Sequence, residues 1–106
     1  ATITATGNNI FSNTVTAMGG GFYNNGGTIN VIANAFSSNS ANTFGGVIYN
    51  GGTISVTNST MVNNSAGTGG VVYNEGVTTV NHSTFVGNTA TTAGTFFNNL
   101  GTTTVT

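Results

Sequence analysis

The sequence predicts an all-β fold, a right-handed parallel β-helix (β-solenoid) of about four coils with 24–26 residues each. Three observations predict it: a segment recurs at near-constant spacing, apolar and polar positions alternate within it, and its residues favour strands. The recurrence is plainest between Tyr23-Asn24-Asn25-Gly26-Gly27-Thr28-Ile29-Asn30-Val31 and Tyr49-Asn50-Gly51-Gly52-Thr53-Ile54-Ser55-Val56. It returns in altered form at 73–80 and 97–105. A period near 25 residues with one Leu, Leu100, excludes leucine-rich repeats, and the density of Gly excludes helical repeats.

Five residues after each of Ala5, Val31, Val56 and Val80 stands a larger apolar residue: Ile10, Phe36, Met61 and Phe85. These four are expected to stack as one interior column. Three residues further comes an Asn each time: Asn13, Asn39, Asn64 and Asn88. Coils lie about 4.8 Å apart, so stacked amides can donate to one neighbour and accept from the other, forming an Asn ladder. Asn also tolerates the left-handed backbone of a sharp corner. The pairs within Asn25-Gly26-Gly27 and Asn50-Gly51-Gly52 are expected to make further corners.

Each coil is expected to hold three short strands. The first is Thr28–Ile32, with equivalents Thr2–Thr6, Thr53–Thr57, Val77–Asn81 and 102–106. The second surrounds Phe36, and the third is the run at 45–49. Successive side chains of a strand point to opposite faces. In the first strand Ile3, Ile29 and Ile54, with Ala5, Val31, Val56, Val80 and Val105, should face inward, and Thr2, Thr4 and Thr6 outward. In the third, Phe22, Ile48, Val72 and Phe96 should face inward, leaving Gly21, Val47, Val71 and Thr95 outside. Tyr23, Tyr49, Tyr73 and Phe97 should then form an aromatic stack near a corner.

The charge count bounds function. There is no Lys, no Arg and no Cys, with one acid, Glu75, and one His, His82. Nothing can neutralise nucleic-acid phosphates, so no nucleic-acid partner is expected. No disulfide framework or thiolate metal site is possible. No apolar run approaches the roughly 18 residues of a membrane span. Lacking an initiator Met and a basic leader, the chain is expected to be a mature product or an excerpt of a longer one.

The pattern Phe36-Ser37-Ser38-Asn39-Ser40-Ala41 followed by Gly45-Gly46-Val47-Ile48-Tyr49-Asn50 resembles the repeat of polymorphic outer-membrane proteins and related adhesin-like proteins. Residues 61–66 with 69–74 are nearly as close, with Met61 in place of Phe. Residues 85–90 keep the first half, and 10–15 diverge most. The resemblance covers essentially the whole chain. It implies right-handed parallel β-helices on cell surfaces, within long passengers or adhesins, and no single activity. Family passengers carry more charge than this chain.

Catalytic chemistry finds little to work with. Glycoside cleavage needs two carboxyl groups, and Glu75 is alone in a corner where an exposed turn residue is expected. His82 is expected at a solvated corner, and one His cannot build a tetrahedral metal site. No enzyme activity, catalytic residue, metal or cofactor is expected. Two features have other potential. The outward Thr rank, carried by Thr2, Thr4, Thr28, Thr53, Thr79, Thr102 and Thr104, resembles the water-ordering face of ice-binding proteins. Three N-x-S/T triplets begin at Asn58, Asn63 and Asn81, two of them at corresponding corners, and are candidate glycosylation sites.

The leading expectation is an extracellular or cell-surface structural protein, a fibre or adhesin stalk. The alternative is an ice- or glycan-binding module using the Thr face. The strands at 2–6 and 102–106 share one phase of the repeat, so residues 1–106 are expected to be a single uncapped solenoid segment. Its partners are expected to be copies of itself stacked end to end, or further coils of a longer array, with attached glycans possible on the surface.

Overall fold

The computed structural model describes residues 1–92, 94–98 and 101–106. They form a parallel β-solenoid of four coils, with no helix among them. The first coil contains β1 (Thr2–Thr6), β2 (Asn9–Phe11), β3 (Thr14–Val15) and β4 (Phe22–Asn24). The second contains β5 (Thr28–Ile32), β6 (Ala35–Ser37), β7 (Ser40–Phe44) and β8 (Ile48–Asn50). The third contains β9 (Thr53–Thr57), β10 (Thr60–Val62), β11 (Ser65–Thr68) and β12 (Val72–Asn74). The fourth contains β13 (Val77–Asn81), β14 (Thr84–Val86), β15 (Thr89–Ala90) and β16 (Phe96–Asn98), and β17 (Thr102–Val105) begins the next turn.

Each strand pairs in parallel with its equivalents one coil away, which gives one five-stranded and three four-stranded sheets. The first sheet runs β1-β5-β9-β13-β17 without a register break. The second holds Ile10, Phe36, Met61 and Phe85 opposite one another. The third sheet, β3-β7-β11-β15, is one more strand per coil than the sequence pattern predicted. Its strands are short and rich in Ser, Asn and Thr, and their inward positions hold only Ala41, Ala66, Ala90 and Val15. Such small residues give a weak alternation signal.

The core is the set of inward columns: Ile29, Val31, Phe36, Ile48, Ile54, Val56, Met61, Val72 and Val80 are all buried. Ile10, Phe22, Phe85 and Phe96 pack against it from the outer coils. Ile3 and Val105 share the inward phase yet remain half exposed, because only one neighbouring coil covers each. Thr78 stands in the column of Ile29 and Ile54, fully buried, and its hydroxyl takes a hydrogen bond from Asn50 Nδ2 at 3.3 Å.

One face assignment is reversed. Val47 and Val71 are fully buried, not outward. A β-carbon built on Gly21 would lie 3.2 Å from the Phe36 ring, so that position also faces the core. The cause is a bulge before the fourth-sheet strands. The Val47 carbonyl accepts from both Gly21 N (2.8 Å) and Phe22 N (2.7 Å), and the Val71 carbonyl from Val47 N (3.0 Å) and Ile48 N (2.8 Å). Two donors on one carbonyl break the alternation, and two successive residues turn inward.

The corners also differ from expectation. The left-handed residue is not the ladder Asn but the one before it: Ser12, Ser38, Asn63 and Gly87 have φ of 56°, 56°, 56° and 65°. A second column, Gly7, Ala33, Asn58 and His82, lies at 67°, 53°, 50° and 48°. Gly27, Gly52 and Gly76 do not adopt such angles. They are Gly because coils approach closely there: a β-carbon on Gly52 would lie 2.3 Å from the Gly27 oxygen, and one on Gly76 2.0 Å from the Gly52 oxygen.

Ala33 is the corner residue with the least to gain from a left-handed backbone, since it has no side-chain polar group to bond locally. Ala33→Gly is expected to stabilise the chain by about 0.5–1 kcal/mol, the relief of left-handed strain less the extra chain entropy of Gly. A raised urea midpoint at unchanged slope is the expected reading. A lowered midpoint would contradict the strain argument.

Candidate functional site

The chemistry of this molecule lies in ranks of like residues parallel to the solenoid axis. Asn13, Asn39, Asn64 and Asn88 form one. Asn13 Nδ2 donates to Asn39 Oδ1 (3.0 Å), Asn39 Nδ2 to Asn64 Oδ1 (3.0 Å) and Asn64 Nδ2 to Asn88 Oδ1 (2.9 Å). The backbone N–H of Asn13, Asn39 and Asn64 donates to the same oxygens. The other amide hydrogen reaches back to the preceding coil, from Asn39 to the Ile10 carbonyl, Asn64 to Phe36 and Asn88 to Met61. Asn39 and Asn64 are fully buried, so every such bond matters.

A second amide ladder went unread in the sequence. Asn24 Nδ2 donates to Asn50 Oδ1 (2.8 Å), Asn50 Nδ2 to Asn74 Oδ1 (2.9 Å) and Asn74 Nδ2 to Asn98 Oδ1 (3.0 Å). The signal was present, since each of these Asn follows the aromatic column directly. Asn50, which precedes Gly51, reads first as a corner residue. A third rank joins Asn8 N to Asn34 Oδ1, Asn34 N to Ser59 Oγ and Ser59 N to Ser83 Oγ. All three ranks point one way, with donors directed toward the C-terminal coil. Aligned bonds of this kind polarise one another.

The aromatic stack lies on the outside of the fourth sheet. Tyr23 and Tyr49 are parallel at 5.0 Å between ring centroids, and Tyr49 and Tyr73 at 5.4 Å. Phe44 packs over Tyr73 at 4.1 Å and buries it. Phe97 continues the register below Tyr73, and its side chain lies outside the described ones.

Glu75 is not the exposed turn residue that was expected. It is half-buried, and its carboxylate accepts the Tyr49 hydroxyl. That hydrogen bond, then burial, then the negative charge nearby push the Tyr49 phenol from 10.0 up to about 12. The folded state therefore holds this proton more tightly than the unfolded chain. The contribution is complete below pH 10, where both states are protonated, and is lost as the pH rises toward 12. Tyrosinate absorbance is expected to show a late step near pH 12, moved toward 10 by Glu75→Gln. Absence of that late step would contradict the contact.

The first sheet presents its outward residues in strict rows. One row is Thr2, Thr28, Thr53, Val77 and Thr102, and the next is Thr4, Asn30, Ser55, Thr79 and Thr104. Thr2, Thr4, Thr53, Thr102 and Thr104 are exposed, and Thr28 and Thr79 half-exposed. On the third sheet an open groove of about 340 Å³ is floored by Ser40, Asn42, Ser65, Gly67, Thr89 and Thr91. Both surfaces offer hydroxyls and amides without charge.

The N-x-S/T triplets separate by environment. Asn58 and Asn63 are exposed at left-handed corners. Asn81 is half-buried at the end of β13, and its Oδ1 accepts the Thr106 hydroxyl. It pairs with Thr57, so the residue equivalent to Asn58 is His82, itself exposed. The triplets at Asn58 and Asn81 thus start one position apart and not at corresponding corners. Among the described residues no three His, Cys, Asp or Glu gather to hold a metal, and no helix is long and apolar enough to cross a membrane. Compared with known proteins, the chain matches no protein-family model, no curated protein and no solved structure.

Proposed function

We propose that this chain is a structural solenoid of an extracellular or cell-surface protein, a stretch of a fibre or adhesin stalk, and not an enzyme. The observation that carries the reading is the pair of amide ladders running through all four coils in one direction. A ladder of this kind accepts another coil on the same terms as the last. Its polarity admits only head-to-tail addition, a non-closing contact that builds filaments and not rings. The next coil comes from the same polypeptide or from a second copy. One acid and no Lys or Arg among 106 residues leave almost no repulsion against such stacking. The surface location follows from the resemblance to adhesin-like repeats, and sugars at the exposed Asn58 and Asn63 would add to solubility.

Sedimentation and negative-stain imaging of the 106-residue chain at micromolar concentration test assembly between copies. Linear particles that lengthen with concentration are expected. A monomer at every concentration would refute stacking of separate copies.

The unbroken register of the five-stranded sheet favours a second reading, an ice- or neutral-glycan-binding module. Thermal hysteresis of the purified chain, abolished by Thr53→Tyr at the centre of the outward rows, would establish it over the structural reading. Absence of hysteresis and of glycan retention would remove it.

A further inference from the structure

Two Asn-Gly pairs occur in this chain, Asn25-Gly26 and Asn50-Gly51, and the fold treats them oppositely. An Asn-Gly pair can react with itself. The glycine nitrogen attacks the side-chain amide carbon, and the absence of a β-carbon on Gly leaves the approach open. The reaction needs an amide that can rotate and a backbone N–H that is not held elsewhere.

At Asn50 neither condition is met. Its side chain is fully buried in the second ladder. Nδ2 donates to the Gly52 oxygen (3.0 Å), Asn74 Oδ1 (2.9 Å) and the Val77 oxygen (2.9 Å), while Oδ1 accepts from Asn24 Nδ2 (2.8 Å) and Gly52 N (3.1 Å). The attacking nitrogen, Gly51 N, is bonded to the Asn24 oxygen at 2.6 Å.

At Asn25 the corner is one residue longer. Asn24 closes it on Gly27, three residues on, whereas Asn50 and Asn74 close theirs two residues on. The additional residue pushes Asn25 and Gly26 outward, and both are exposed. Gly26 sits at φ 150° with nothing within 4 Å of where a β-carbon would stand. Its nitrogen reaches only Asn24 Oδ1, at 3.4 Å, a marginal bond.

We propose that Asn25-Gly26 is a self-modification site. Gly26 N forms a bond to Asn25 Cγ, the Cγ–Nδ2 bond breaks, and ammonia leaves carrying the proton lost from the Gly26 nitrogen. The five-membered imide then takes up one water molecule. Opening at one carbonyl gives aspartate, and opening at the other gives isoaspartate, which adds a methylene to the backbone. No oxidant or cofactor is consumed. The formal charge of the chain goes from −1 to −2, with the new carboxylate at the corner between the fourth and first sheets. On a surface with one acid, the change would alter how coils or copies meet along that edge.

The test incubates the folded chain at mildly alkaline pH and follows it by isoelectric focusing, peptide mass mapping after chymotrypsin, and labelling with an isoaspartyl methyltransferase. A band more acidic by one charge is expected, with the label at residue 25. Residue 50 is expected to react roughly tenfold or more slowly, since its locked amide must wait for local opening. In denaturant the two sites should react at similar rates. Asn25→Gln should remove the acidic band. The proposal falls if residue 50 keeps pace with residue 25 in the folded chain. It also falls if the band survives Asn25→Gln, or if the folded chain stays unmodified while the denatured chain reacts.

Discussion

Asn64→Leu is expected to remove about 4–6 kcal/mol of stability, a large part of the roughly 5–15 kcal/mol that a domain of this size possesses. Asn64 is fully buried. Its Oδ1 accepts both the backbone and side-chain N–H of Asn39, and its Nδ2 donates to the Phe36 carbonyl and to Asn88 Oδ1. Leucine has a similar volume but meets none of these four groups. Each bond lost costs about 1 kcal/mol, and a buried group left unsatisfied costs about 1–3 kcal/mol. The same change at Asn13 is the control. Asn13 is exposed and only donates up the ladder, so Asn13→Leu should cost no more than about 1–2 kcal/mol. Urea denaturation followed by circular dichroism reads both. Equal losses at the two positions would show that the ladder is decoration on a stack held by its apolar core.

Met61→Asp is expected to prevent folding at neutral pH. Met61 is fully buried between Phe36 and Phe85 in the second sheet. An introduced carboxylate would meet no cation, since the chain has no Lys or Arg and His82 is exposed at a corner. A buried carboxylate without a partner costs several kcal/mol at least, and the group resists ionisation instead. Its folded-state pKa would be raised, so folding should return in part at acid pH and be lost as the pH rises. Met61→Leu conserves volume and should cost less than about 1.5 kcal/mol. A Met61→Asp chain as stable as the parent at neutral pH would remove this column from the core.

The repeat told most of the architecture because a solenoid stacks each coil on a near copy of itself. Any residue needed at one level is needed at the next, and this is why Phe36, Met61 and Phe85, or Asn39, Asn64 and Asn88, are visible as columns in the chain. The third sheet stayed hidden because Ala41, Ala66 and Ala90 fill its inward positions, and methyl groups between Ser and Asn carry little contrast. The second ladder was visible but misassigned. Asn50 stands directly before Gly51, and Asn24 and Asn74 stand two residues before Gly26 and Gly76, so each reads locally as part of a turn.

By itself, then, the sequence determined the fold class, the coil length, the first and second sheets and the core columns, because these depend on residue type and period alone. The tertiary structure decided which way Val47 and Val71 point, since a bulge with two N–H groups on one carbonyl breaks the period-two rule. It also decided which residues take the left-handed corners, that Gly52 and Gly76 serve the close approach of neighbouring coils, and that Glu75 receives Tyr49 from the coil before. Each of these depends on what lies one coil away, about 25 residues along the chain. Contacts between coils are made by stacking, and stacking exists only once the chain has wound back on itself.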